Sequence, residues 1–129
     1  MFWRRFFRTA SDQIEIPEMH TEEEFNRLCA RELGVLFKHS PSCLVSIAAN
    51  RRVRKFAEVR PEVPTFMVSV IRRRDLSRWI ASGTGIRHES PQIIVFRYGR
   101  VVAHMSHEQI TAERLEQLVQ AFSSPDRAL

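Results

Sequence analysis

Apolar positions along the chain follow two periods, one helical and one extended. Phe25, Leu28 and Cys29 stand at i, i+3 and i+4. Ahead of them Thr21 and Glu24 have the spacing of a capping box, so a helix is expected from Thr21 with Cys29 turned toward its apolar face. Gly34 interrupts that pattern, and Val35, Leu36 and Phe37 make a short apolar strand. From Cys43 the period is helical again, with Ile47, Val53 and Phe56 expected inward and an end forced before Pro61. Pro61 and Pro64 bracket a loop. Thr65 to Ile71 is nearly all apolar and rich in β-branched residues, which predicts a parallel central strand covered on both faces.

Asp75 is in position to cap a short helix carrying Leu76, Trp79 and Ile80, with Gly83 as its stop. Pro91 leads an apolar strand from Gln92 to Phe96, and Tyr98-Gly99 turns it into a hairpin partner from Arg100 to Ala103. Thr111 caps a last helix whose Leu115, Leu118, Val119 and Phe122 share one face. The order is helix, strand, helix, strand, helix, Pro-led strand, strand, helix. Right-handed crossovers make the first two strands parallel and the hairpin adds an antiparallel pair. The expected class is α/β with a thioredoxin-like fold, a mixed four-stranded sheet with helices on both faces. In that arrangement the loop after the first strand and the Pro-led loop meet at one end of the sheet.

A length of 129 residues, 43% of them hydrophobic, suits one compact domain. Its expected extent is residues 21–122, between a basic and aromatic arm over 1–20 and a tail over 123–129. If the start of the arm is helical, Phe2, Trp3, Phe6 and Phe7 fall roughly on one face among Arg4, Arg5 and Arg8. Such an arm packs on the domain or touches a membrane surface. No apolar run is long enough to span a membrane, and the start lacks the pattern of a secretory signal, which predicts a cytoplasmic protein.

The net charge of +5 and a pI near 10.2 favour an anionic partner without choosing among nucleic acid, an acidic surface and a small metabolite. All the basic residues except Lys38 and Lys55 are arginines. Arg51, Arg52, Arg54 and Lys55, and the run Arg72 to Arg74, read first as solvated faces. Arg73 and Arg74 follow the second strand, at the strand end where open α/β sheets place ligands. His88, His104 and His107 have no closely spaced cysteine pair to complete a zinc pattern, so no metal is expected.

Chemistry concentrates at Cys43. A helix N-terminus carries partial positive charge and unpaired N–H groups, which favour the thiolate, the nucleophilic form of cysteine. Three residues on stands Ser46, so the motif is Cys-x-x-Ser and closes no internal disulfide. Cys43 therefore reads as a one-cysteine redox centre. Lys38, just before the turn, is placed to raise the thiolate fraction and to meet a carboxylate, or is a solvated strand-end lysine. Ser46 is a candidate hydrogen-bond donor to the thiolate or a first-turn helix polar residue. His39 orients the turn or is an exposed bystander. Cys29 reads as a small core residue, with a resolving role the lesser alternative.

Phe37-Lys38-His39-Ser40, with Cys43 and Ser46 following, and His88-Glu89-Ser90-Pro91-Gln92 resemble the bacillithiol-system redox proteins called monothiol bacilliredoxins, a branch of the thioredoxin superfamily. Ser106-His107 and Ile110-Thr111 add a third match, so the resemblance spans roughly residues 20–122. It departs at Leu44, where the family usually has proline. Ordinary thioredoxins differ more, having a buried acid and a second cysteine where this chain has Leu36 and Ser46.

The resemblance implies a monothiol thiol–disulfide oxidoreductase that removes bacillithiol, a malate-bearing small thiol, from protein mixed disulfides. Cys43, Ser46 and Lys38 are its expected catalytic residues. His39, Ser40, Ser90, Pro91, Arg73 and Arg74 are expected at the substrate, with Pro91 cis and facing the cysteine. Bacillithiol serves as co-substrate, no cofactor is tightly bound, bacillithiolated proteins are the partners, and nucleic acid is not expected. The competing readings are a basic thioredoxin-fold adaptor or redox sensor, and a Cys-x-x-Ser ligand of a shared iron–sulfur cluster. Against the latter, Leu44-Val45 replaces the small Gly-Phe usual in such proteins.

Overall fold

A computed structural model describes residues 14–123. The elements run α1 (Glu22–Cys29), β1 (Gly34–His39), α2 (Leu44–Val59), β2 (Thr65–Ser69), α3 (Arg74–Thr84), β3 (Gln92–Arg97), β4 (Arg100–Ser106) and α4 (Ala112–Ser123), with a 3-10 turn His107–Gln109 before α4. The sheet order is β2-β1-β3-β4, β1 being parallel to β2 and antiparallel to β3. This is the mixed four-stranded sheet that the element order implies.

Alternation along β1 divides the core into two layers. Val35 and Phe37 face α2 and α4 with Ala49, Val53, Phe56, Leu115 and Val119. Leu36 faces the other side with Phe25, Leu28, Leu76 and Ile80 from α1 and α3. All six β1 residues are buried, as befits an interior strand. Gly34 opens it where α1 passes closest. A Cβ there would lie 2.9 Å from the Leu28 carbonyl oxygen and 2.8 Å from Leu28 Cδ1. We expect Gly34→Ala to destabilise the fold by about 1–3 kcal/mol, because the contact involves backbone that cannot swing aside. Urea unfolding measures this, and an unchanged midpoint would show that α1 shifts freely.

Several expectations are corrected by the packing. Residues 14–20, assigned on sequence to the arm, lie along β2: the Met67 N–H donates to the Pro17 carbonyl at 2.9 Å, the Met19 N–H to the Met67 carbonyl at 2.7 Å, and Ile16 and Met19 are core residues. The packed body thus begins before residue 21, and β2, expected at the centre, is the edge of the four-strand order with this segment beside it. The aromatic half of the arm and the tail beyond Ser123 lie outside the described residues.

Asp75 is not the cap of α3; Arg73 occupies that place and Asp75 sits in the first turn. The helix stops at Gly85 rather than Gly83, since Gly85 takes the left-handed φ of 73° that a C-cap needs. Ile47 points outward, and Ser46 and Ala49 are buried in its stead. The Tyr98-Gly99 turn has positive φ at both residues, 47° and 84°, as two-residue hairpins require. Cys29 ends α1 half-buried, and its burial pushes the thiol up to about 11.

Candidate functional site

The site lies where β1 ends and α2 begins. Cys43 is the N-cap of α2, with extended backbone, and its carbonyl accepts the first helical bond from Ile47 N–H at 2.9 Å. The Cys43 N–H donates to the Ser40 carbonyl at 3.2 Å, closing the turn through Pro41 and Ser42. The thiol is partly exposed, and the first turn of this sixteen-residue helix carries no acidic side chain to oppose a negative sulfur. The orphan N–H groups and dipole of that turn act on whatever charge develops there.

Ser46 is fully buried one turn on. Its Oγ accepts from the Ser40 N–H at 2.9 Å and pairs with His39 Nδ1 at 2.8 Å. The His39 ring is itself buried and stacks on Phe37, with 5.3 Å between centroids. Burial, and then the charge of Arg72, lower the His39 pKa, outweighing the Ser46 bond and Glu18. The imidazole is therefore neutral at physiological pH. Ser46 ties together the end of β1, the turn and the first turn of α2, so it anchors the stretch that carries Cys43.

Removing its hydroxyl strands the buried His39 nitrogen and the half-buried Ser40 N–H. We expect Ser46→Ala to cost about 1–3 kcal/mol and to speed amide exchange at Ser40 and Cys43. Exchange rates equal to wild type would remove the anchoring role.

The Pro-led loop arrives at the same end. Lys38 is in register with Gln92, so Pro91 adjoins the point where β1 leaves for the turn. The Ser90–Pro91 bond is cis and Pro91 is buried. The Pro91 carbonyl accepts from the His107 N–H at 3.0 Å, while His107 Nδ1 lies 3.3 Å from Glu89 Oε2. The loop is thereby held to the turn that follows β4.

One expected site residue, Lys38, is buried away from the turn, and two others, Arg73 and Arg74, stand at the start of α3. Lys38 belongs to the layer of Leu36: it is 0% exposed, and its Nζ donates to the Ser77 carbonyl at 3.1 Å and lies 3.3 Å from His88 Nδ1. It is neither a solvated lysine nor free to meet a carboxylate, because strand alternation sends it under α3 while His39 goes to the α2 side. Arg73 caps α3, with its Nη2 on Asp75 at 3.2 Å, and Arg74 is exposed at the start of the same helix. The cation felt at the His39–Ser46 pair is Arg72, which also bonds Glu18 at 2.9 Å. Sequence singled out the arginine run but not its first member. Cys29 is at the far end: its carbonyl accepts from Gly99 N–H, beside the start of β1, so the length of β1, about 20 Å, separates it from Cys43.

No group of three or more His, Cys, Asp or Glu side chains among the described residues is arranged to hold a metal. Clefts of about 310 and 460 Å³ exist, beside Arg60 and Val63 and between α2 and α4, but Cys43 lines neither. No helix among the described residues is long and apolar enough to cross a membrane.

Comparison with known proteins agrees with this geometry. The family described as monothiol bacilliredoxin BrxC matches residues 15–115. A thioredoxin-fold protein assigned as an oxidoreductase is 29% identical, with a TM-score of 0.74 over 79% of this chain and 91% of its own. Two thioredoxins share the fold at lower identity. That of Trypanosoma brucei brucei is 19% identical with a TM-score of 0.68, covering 88% of this chain and 96% of its own. A mutant thioredoxin of Halobacterium salinarum NRC-1 is 17% identical with a TM-score of 0.70, covering 85% and 92%.

Proposed function

We propose, since this chain belongs to the monothiol bacilliredoxin family, that its thiol–disulfide oxidoreductase chemistry is the removal of bacillithiol from protein mixed disulfides by Cys43. The observation that carries this reading is a partly exposed cysteine at the N-cap of α2 with a serine, already engaged in hydrogen bonds, where a second cysteine would stand. The Cys43 thiolate attacks the bacillithiol sulfur. The mixed disulfide breaks, the protein cysteine departs as thiolate and takes a proton from water, and Cys43 now carries bacillithiol. A second small thiol from outside attacks that adduct, forms a disulfide with the bacillithiol and returns the Cys43 thiolate.

Each nearby group has a role that its contacts support. The N–H groups of the first turn of α2 stabilise sulfur anions, both when Cys43 attacks and when it leaves. His39, Ser46 and Ser40 hold the turn in place. The backbone of Ser90, next to Pro91, offers pairing groups to an extended substrate segment, as the family resemblance implies. Arg72 is the exposed cation best placed to favour the malate carboxylates of bacillithiol.

The test is intact-protein mass spectrometry after mixing the protein with a bacillithiolated client. The expected result is one bacillithiol mass gained by this chain at Cys43 and lost by the client. An unmodified chain, or an adduct on Cys29, would overturn the assignment and favour a thioredoxin-fold adaptor or redox sensor.

A further inference from the structure

Under α3, in the layer of Leu36, buried Lys38, Ser77 and Gln92 and the exposed His88 form a polar cluster that the exchange chemistry does not use. Lys38 Nζ donates to the Ser77 carbonyl at 3.1 Å and lies 3.3 Å from His88 Nδ1, and Ser77 Oγ lies 3.3 Å from the same nitrogen. Gln92, the cross-strand partner of Lys38, is 1% exposed, and its Nε2 donates to the Arg87 carbonyl at 2.9 Å. Two neighbouring strand residues thus reach up from the sheet and grip consecutive residues, Arg87 and His88, of the segment that leads to Ser90 and Pro91. An ammonium buried against a carbonyl and an imidazole, with no carboxylate bonded to it among the described residues, is a costly choice for packing alone. Its position under the loop supplies a reason.

We propose that Lys38 and Gln92 are positioning residues that set the height of the 87–91 loop over the Cys43 end of the sheet, and so govern how a protein substrate docks. This rests on the reading that Cys43 takes bacillithiol from proteins. The grip acts on the docking segment, since its contacts run to Ser77, Arg87 and His88. It therefore separates two reactions that a role at the thiolate would not: attack on a small disulfide, which needs only Cys43, and attack on a protein mixed disulfide, which also needs the loop.

The decisive variants are Lys38→Met, which keeps the buried stem and drops the ammonium, and His88→Ala, which removes the loop side of the same contact. With a bacillithiolated protein as substrate, each is expected to raise KM about tenfold with kcat within a factor of two. With dithiodipyridine, the rate of Cys43 modification is expected to stay at the wild-type value. A readout independent of turnover is the imidazole titration of His88 by NMR. The charges acting on that ring are Lys38 and Arg78, which lower its pKa along with burial, and Glu89, which raises it. Lys38→Met should move the His88 pKa up toward 6.5.

If Lys38→Met slows dithiodipyridine and protein equally, the lysine acts on the sulfur and the positioning role is wrong. If the KM for protein and the His88 titration both stay at wild-type values, the grip has no function and the inference falls. A wild-type protein that reacts with dithiodipyridine but not with the bacillithiolated protein would instead overturn the proposed function.

Discussion

Replacing Cys43 by alanine is expected to abolish transfer of bacillithiol from a client protein, lowering the rate by on the order of 10³-fold or more, to that of the uncatalysed thiol reaction. No other group on the site's side of the sheet can take over. The only other thiol, Cys29, is separated from the site by the length of β1, and burial holds its pKa near 11, so little of it is thiolate at neutral pH. Cys29→Ala is accordingly expected to leave the rate unchanged. Stopped-flow appearance of the client protein's freed thiol checks both variants, and a Cys43→Ala protein that keeps a tenth of the activity would rule out the monothiol cycle.

Stability should rise as pH increases from neutrality, a trend set by Lys38. Burial lowers its pKa from 10.5 to about 8. Between those values the unfolded chain holds a proton that the folded chain has released, so the folded state gains stability as pH rises, by about 3 kcal/mol in all. Cys29 works in the other direction, because its folded thiol keeps its proton to about 11 against an ordinary 9.0, and stability falls across that interval. The net slope in wild type is upward above pH 8 and flattens once Cys29 contributes.

Comparing wild type with Lys38→Met isolates the lysine, since Cys29 is common to both. The methionine variant is expected to be the more stable at pH 7, having no buried charge, and its advantage should shrink by about 3 kcal/mol by pH 10.5. Urea unfolding at a series of pH values measures the difference. A constant gap would mean that the amine keeps its ordinary pKa when folded.

The same lysine shows how a site can be misread from sequence. Its place five residues before Cys43 suggests a neighbour of the thiol, yet a strand sends successive side chains to opposite faces. The contacts show Lys38 in the layer of Leu36 and His39 on the side of α2. The alternation was available in the sequence, since Lys38 stands two residues from Leu36, but nothing local said that the face in question would be covered by α3, or that Ser77 and His88 would be the lysine's partners. Those partners are 39 and 50 residues away.

What the sequence determined by itself is the part of the protein governed by local rules. Apolar periodicity sets the helices and strands, the Thr21–Glu24 and Thr111 caps start two of the helices, and the element order leads to the mixed sheet. The Cys43–Ser46 spacing defines the one-cysteine motif, and its place after an apolar strand puts the thiol at a helix start. The tertiary structure decided what depends on which surfaces meet. It put β2 at the edge with residues 14–20 beside it, carried Cys29 away from the site, turned Ser46 into an anchor for the turn through His39 and Ser40, and hid Lys38 beneath the loop that ends at Pro91. Each of these outcomes rests on contacts between residues whose separation in sequence, or whose choice of face, only the closed packing of the two core layers selects.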